Sequence, residues 1–202
     1  GAACAEEEAY LHLLLVLLLL DGSHVALAAT AAQALVDRLA AEGRHTLDGL
    51  RARAYFYLAR AHELDGRLAE ARPQLLAAYR TAVLRHWWLT QATVLNLLLR
   101  SYLACGLFAQ AQKLVSKTTF REETSASELA RYLYYTGRIQ ATQLEYTEAY
   151  KCLLQAGRKA PQHTALGFRK AVAKLTVIVQ LLLGEVPERR IFRQTGMTAA
   201  LR

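Results

Sequence analysis

A chain of 202 residues, 53% of them hydrophobic, holds enough apolar side chain to close a core, which excludes global disorder. Its net charge of +8 is uneven: residues 1–50 carry −5, residues 51–150 carry +5 and residues 151–202 carry +8. Cys4, Cys105 and Cys152 lie far apart with no histidine at ligand spacing, which excludes a disulfide framework or zinc site and reads as reduced, mostly buried thiols of an intracellular protein.

The first predicted element is a helix near 6–20. Its leucine run, Leu13 to Leu20, is far short of the about 20 apolar residues that a bilayer span needs. Glu6-Glu7-Glu8 stands where a signal peptide would carry positive charge. The run therefore reads as a buried helix of a chain neither secreted nor anchored. A second helix follows near 24–41, with Ala28 as its small residue. In the third, near 47–64, Tyr55, Leu58, Ala59 and His62 fall at i, i+3, i+4 and i+7 and form one stripe. The fourth, near 69–83, contains Pro73, which in mid-helix would cost about 3 kcal/mol, so this helix starts late, near Ala71, or bends. Leu95, Leu98, Leu99 and Tyr102 repeat the stripe in a helix near 90–105. Helices near 108–117, 127–143, 147–158 and 163–183 complete the series, with Gly137 and Ala141 as small residues between Leu133 and Leu144. Nothing alternates apolar and polar long enough to demand a sheet.

These helices pair into a repeat. An apolar helix, a short break often holding Gly (Gly66, Gly106) and a second helix opening with a small residue recur four times. The small anchors are Ala28, Ala71, Ala111 and Ala149, spaced by 43, 40 and 38 residues, within the range of helical-hairpin repeats. Two helices joined tightly approach closely only where a small side chain sits at the crossing. Gly at the end of the first helix supplies the left-handed cap. Each hairpin leaves an apolar face that a neighbour must cover. The expected fold is all-α, a right-handed solenoid of antiparallel, TPR-like helix pairs. It occupies residues 1–194 as one domain, about four hairpins plus a further long helix, with a tail at 195–202.

Chemistry is scarce. His12, His24, His45, His62, His86 and His163 are never within a helical turn of one another, and no phosphate loop, dinucleotide fingerprint, nucleophile elbow or zinc-protease motif occurs. No catalytic, cofactor-binding or metal-binding residue is expected, and the chain reads as a non-enzyme. The basic C-terminal half suits either nucleic acid or an acidic protein, although no zinc finger, helix-turn-helix or stacking motif accompanies it. Tyr132, Tyr134 and Tyr135 lie between Arg131 and Arg138. They read either as packing between hairpins or as an aromatic surface for a partner peptide.

The segments ARYLYYTGRIQATQLEYTEA (130–149), RKAPQHTALGF (158–168) and LLLGEVPERRIFRQ (181–194) strongly resemble the non-ATPase regulatory subunit 3 family of the 26S proteasome. TAVLRH (81–86), NLLLRSYL (96–103), QAQKLVSK (110–117) and the opening EEEAYLHLLLVLLLL look like the same family, so the resemblance runs from about residue 6 to 194. It implies a scaffold subunit of the regulatory-particle lid, in cytoplasm and nucleus, supporting ATP-dependent degradation of ubiquitinated proteins. It also implies a helical-repeat solenoid leading into a winged-helix PCI module. That module is absent or truncated in these 202 residues, and Trp87 and Trp88 stand where the family tends to have a short polar stretch. The implied partners are other lid subunits, including a small acidic disordered one, with no small-molecule substrate and no membrane. A basic repeat protein that binds nucleic acid, or a scaffold of a related assembly such as the signalosome, is the alternative. Arg131, Tyr134, Tyr135, Arg138, Arg158 and Lys159 are the candidate surface for the acidic partner. The competing reading makes the tyrosines core and the arginines merely solvated.

Overall fold

The computed structural model describes residues 2–121, 125–161 and 164–193, so the proposed 195–202 tail and His163 lie outside the described residues. Its contacts gather into two compact units, Gly1–Cys105 and Gly106–Arg202. The first holds α1 (Ala2–Asp21), α2 (Val25–Ala41), a 3-10 turn (His45–Leu47), α3 (Asp48–Leu64), α4 (Arg72–Leu84) and α5 (Trp88–Ala104). The second holds α6 (Phe108–Lys117), α7 (Ala126–Thr142), α8 (Tyr146–Lys159), α9 (Leu166–Leu182) and α10 (Arg189–Arg193). No strand occurs among the described residues. The 3-10 turn and α10 carry too little periodicity to be read from sequence.

In the first unit α2 packs on α1 and α3, while α5 packs on α3 and α4. Every residue from Ala92 to Leu99 is buried, which makes α5 the central helix of this unit. In the second unit α8 lies between α7 and α9. Ala28, Ala71, Ala111 and Ala149 are all buried, three of them with no exposed surface. The close approach is seen directly at α7 and α8, where a Cβ on Gly137 would lie 2.9 Å from Leu153 Cγ and 3.3 Å from the Ala149 carbonyl.

Three local features settle what the sequence left open. Pro73 falls in the first turn of α4, where its missing N–H has no intrahelical partner to lose. The turns close as expected at Gly66, φ +73°, with Arg67 N–H donating to His62 O. Ser23, His86 and Leu144 adopt the same left-handed conformation without being glycine, each followed by a similar bond, such as Trp87 N–H to Ala82 O at 2.9 Å. Trp87 is buried, and the guanidinium of Arg51 lies 3.5 Å over its ring. Arg51 is itself 1% exposed and donates to Leu39 O and Glu42 O, capping the last turn of α2. Burial lowers its proton affinity, opposed mainly by the charge of Asp48.

Two expectations are corrected. The leucine run is not buried all round. Leu13 and Val16 face the core, but Leu14, Leu15 and Leu18 are exposed. A run without polar residues carries no phase, so periodicity gave no hint of which side would be covered. The two thiols described are not fully buried either, since Cys105 is exposed and Cys152 half-buried, while the side chain of Cys4 lies outside the described residues.

Candidate partner-binding site

The six residues singled out by sequence sit on α7 and α8. On α7, Arg131, Tyr134 and Arg138 are spaced i, i+3 and i+7, so they share one side of the helix. Gly137 abuts Ala149 and Leu153. An antiparallel register through that contact brings Arg131 level with the end of α8, where Arg158 and Lys159 stand exposed in the last turn. Arg138 lies two turns, or about 10 Å, farther along α7.

The surroundings divide the set. Tyr135 is 7% exposed and belongs to the core, so it has almost no surface to offer a partner. Tyr134 is half-buried. It packs against the cluster of Ala149, Leu153 and Val179 and meets Phe168 edge-on at 5.4 Å. Its outer ring face is approached by the Arg138 guanidinium at 5.9 Å, a distance at which cation and ring quadrupole still attract. Arg131 is ion-paired with Glu128, whose side chain is 9% exposed. Glu128 is a partner that sequence reasoning missed, although it stands three residues before Arg131 on the same helix. Phe168 was likewise missed, because its contact depends on α9 folding back onto α7. Arg158 and Lys159 place two positive charges at the negative end of the α8 dipole. The structure thus brings Arg131, Tyr134 and Arg138 onto one side of α7 and sends Tyr135 inside.

Elsewhere the polar clusters hold structure together. In the first unit Arg100 donates three times to Glu63, Arg60 adds a fourth bond at 2.9 Å, and these groups line a cleft of about 290 Å³ with Phe56 and Leu97. Burial works against the charge on Glu63, but the bonds from Arg100 and Arg60 outweigh it and hold the carboxyl below its ordinary value of 4.5. Cys152 is pushed the other way, upward, by burial and then by Glu148, which keeps it a poor nucleophile. No group of three metal-ligating side chains occurs among the described residues, and no described helix is long and apolar enough to cross a membrane.

Comparison with known proteins agrees with this repeat architecture. The family described as PSMD3-like, N-terminal TPR repeats, matches residues 2–202. A Drosophila melanogaster protein named probable 26S proteasome non-ATPase regulatory subunit 3 is 48% identical over 200 residues, 99% of this chain and 40% of that protein. The Nicotiana tabacum protein of the same name is 50% identical over 197 residues, covering 98% and 40%. A Dictyostelium discoideum protein named 26S proteasome non-ATPase regulatory subunit 3 is 48% identical over 197 residues, covering 98% and 39%. The chain spans about 40% of the length of the curated relatives it matches.

Proposed function

The chain belongs to the PSMD3-like family and carries its N-terminal TPR repeats, and from that membership we propose that it is a non-catalytic scaffold segment of the proteasome regulatory-particle lid. In this role it supports ATP-dependent degradation of ubiquitinated proteins by holding other lid subunits in place, in cytoplasm and nucleus. The observation that carries the reading is identity near one half, sustained over 99% of the chain, to a protein named as a non-ATPase regulatory subunit of the 26S proteasome. The fold supports it. Helical-hairpin repeats present extended surfaces for protein partners, and the polar clusters described above are ion pairs and helix caps.

One partner surface is proposed in finer detail. Arg131, Tyr134, Arg138, Arg158 and Lys159, without Tyr135, receive an acidic segment of a small disordered lid subunit. Arginine offers a planar fork to carboxylates, and a half-buried tyrosine gives contact area at low entropic cost.

The test is purification of the tagged chain from cells followed by mass spectrometry of what comes with it. Lid subunits in stoichiometric amount are expected. Recovery of RNA, or of signalosome subunits in their place, overturns the reading. Turnover of a peptide or ubiquitin substrate by the purified chain, lost on changing a single histidine, overturns the non-catalytic part.

A further inference from the structure

The cap that Arg51 places on α2 leaves one of its nitrogens unused. Its Nε and Nη2 donate to Leu39 O and Glu42 O, but Nη1 has no hydrogen-bond partner although the residue is 1% exposed. The indole N–H of Trp87, a residue 2% exposed, is likewise without an acceptor. The two groups are neighbours, since the guanidinium lies 3.5 Å over the indole ring. Buried donors are nearly always met by an acceptor, and each one left unmet costs stability. Two of them on adjacent side chains point to a group that this unit does not itself supply.

Both side chains line one pocket of about 250 Å³ where α2, α3 and α4 meet at the start of α5. Val36 and Ala40 of α2 and Ala77 and Ala78 of α4 form its apolar walls. Tyr55 adds a hydroxyl. Burial pushes it above its ordinary value of 10.0 against the opposing charge of Arg51, so it stays protonated at neutral pH and can donate. Asp37 stands exposed at the mouth, with Gln33 donating to one of its oxygens at 2.8 Å.

Charge narrows the ligand. Neither Arg51 nor Arg85, whose guanidinium lies 5.3 Å from the centre of the same ring, has an ion-pair partner among the described residues. Asp48, the acid that most favours the charge on Arg51, is spent on the backbone N–H groups of Leu89 and Thr90 and on the Thr90 hydroxyl. A neutral carbonyl would satisfy the donors but leave the buried cation without a counter-ion. A phosphate would bring about two negative charges toward Asp37. A carboxylate brings one charge and two acceptor oxygens, and an N–H carried beside it answers Asp37.

We infer that this pocket binds a carboxylate whose own carbon bears a nitrogen donor, the group shared by a free amino acid and the C-terminus of a peptide. The carboxylate meets Arg51 and Trp87, and the nitrogen meets Asp37. The pocket lies within the first unit and is separate from the α7–α8 set, so either can fail alone.

The experiment follows the indole N–H resonance of Trp87 in isotope-labelled protein, assigned by its loss in Trp87→Phe, during titration with three probes. Alanine represents the free amino acid and N-acetylalanine the chain end, whereas N-acetylalanine amide has no carboxylate. Alanine or N-acetylalanine is expected to shift the resonance to saturation with a Kd on the order of 1 mM or tighter. The amide should bind at least about tenfold more weakly. The tighter of the two acids names the source, and either one supports the inference. Arg51→Lys keeps the charge but loses the planar fork, and should weaken the acids by about tenfold. Ala77→Trp fills the mouth from an exposed position, so it should abolish the shift and leave the melting temperature unchanged. The inference is overturned if no probe shifts the resonance, if the amide binds as tightly as the acids, or if folded Ala77→Trp still binds. It is also overturned if a crystal grown with saturating probe shows only water against Arg51 Nη1 and Trp87 Nε1.

Discussion

At the scale of single residues, backbone strain and buried charge decide what each position tolerates. Leu144 holds φ +68° with its side chain 71% exposed, so it bears the cost of a left-handed backbone and returns little in packing. Leu144→Gly removes a strain of about 1 kcal/mol against a smaller loss of chain stiffness. It should raise the melting temperature by about 2 °C. An unchanged or lower value would mean that the side chain contributes more than its exposure suggests. Arg51 is the opposite case, a buried guanidinium satisfied by two carbonyls at the end of α2 and by the face of Trp87. Arg51→Ala leaves Leu39 O and Glu42 O without these donors and opens a cavity beside the indole. The expected loss is about 3 kcal/mol in urea titration. Neither Arg51 nor Trp87 was legible as a pair. They are 36 positions apart on α3 and at the start of α5, and a lone arginine within a helical stripe reads as a solvated one.

At the scale of elements, most of the architecture was legible because the physics is local. Period-3.6 stripes placed α3, α5 and α7 to within a few residues, small residues marked the crossings, and Pro73 called for a late start of α4 or a bend, of which the structure has the late start. What stayed hidden needed tertiary information: the covered side of α1, the inward turn of Tyr135, and the return of Phe168 onto Tyr134. The crossing of α7 on α8 gives a sharp test. Ala is a better helix former than Gly by about 1 kcal/mol, so Gly137→Ala would stabilise an open site. Here the added Cβ would lie 2.9 Å from Cγ of Leu153, a side chain with no exposed surface, and 3.3 Å from the Ala149 carbonyl. A net loss of about 1–2 kcal/mol is expected, with most of it recovered in a Leu153→Ala background, as a double-mutant cycle would record. Between α3 and α5, Glu63 sits below its ordinary carboxyl value of 4.5. A depressed carboxyl stabilises the fold above its unfolded value and loses that contribution as pH falls through the folded one. Glu63→Gln should therefore be less stable than the native chain at neutral pH and match it in acid. A difference that persists undiminished well below pH 4.5 would assign the effect to something other than this charge.

At the scale of the whole molecule, charge is the property that no single helix explains. The balance moves from −5 over residues 1–50 to +8 over residues 151–202, so an acidic partner is attracted toward one end of the chain before any contact forms. Attraction of that kind depends on total charge, whereas a built surface depends on where the charges are, and the two can be separated. Arg138→Glu with Arg158→Glu takes four units from the net charge of +8 and strikes two residues of the proposed α7–α8 surface. Arg53→Glu with Arg80→Glu takes the same four units from exposed positions in the first unit. Binding of the purified small acidic lid subunit should weaken by about tenfold or more in the first pair at low ionic strength. The control pair should lose much less, because its charges are not part of the proposed α7–α8 set and long-range steering acts mainly on the association rate. As salt rises and the screening length falls to about 3 Å near 1 M, the control deficit should vanish. The Arg138/Arg158 deficit should then shrink without closing, since direct arginine–carboxylate bonds survive screening better than the field does. Equal losses in the two pairs at every salt concentration would show that the partner reads net charge alone and that the surface around Tyr134 has no part in recognition.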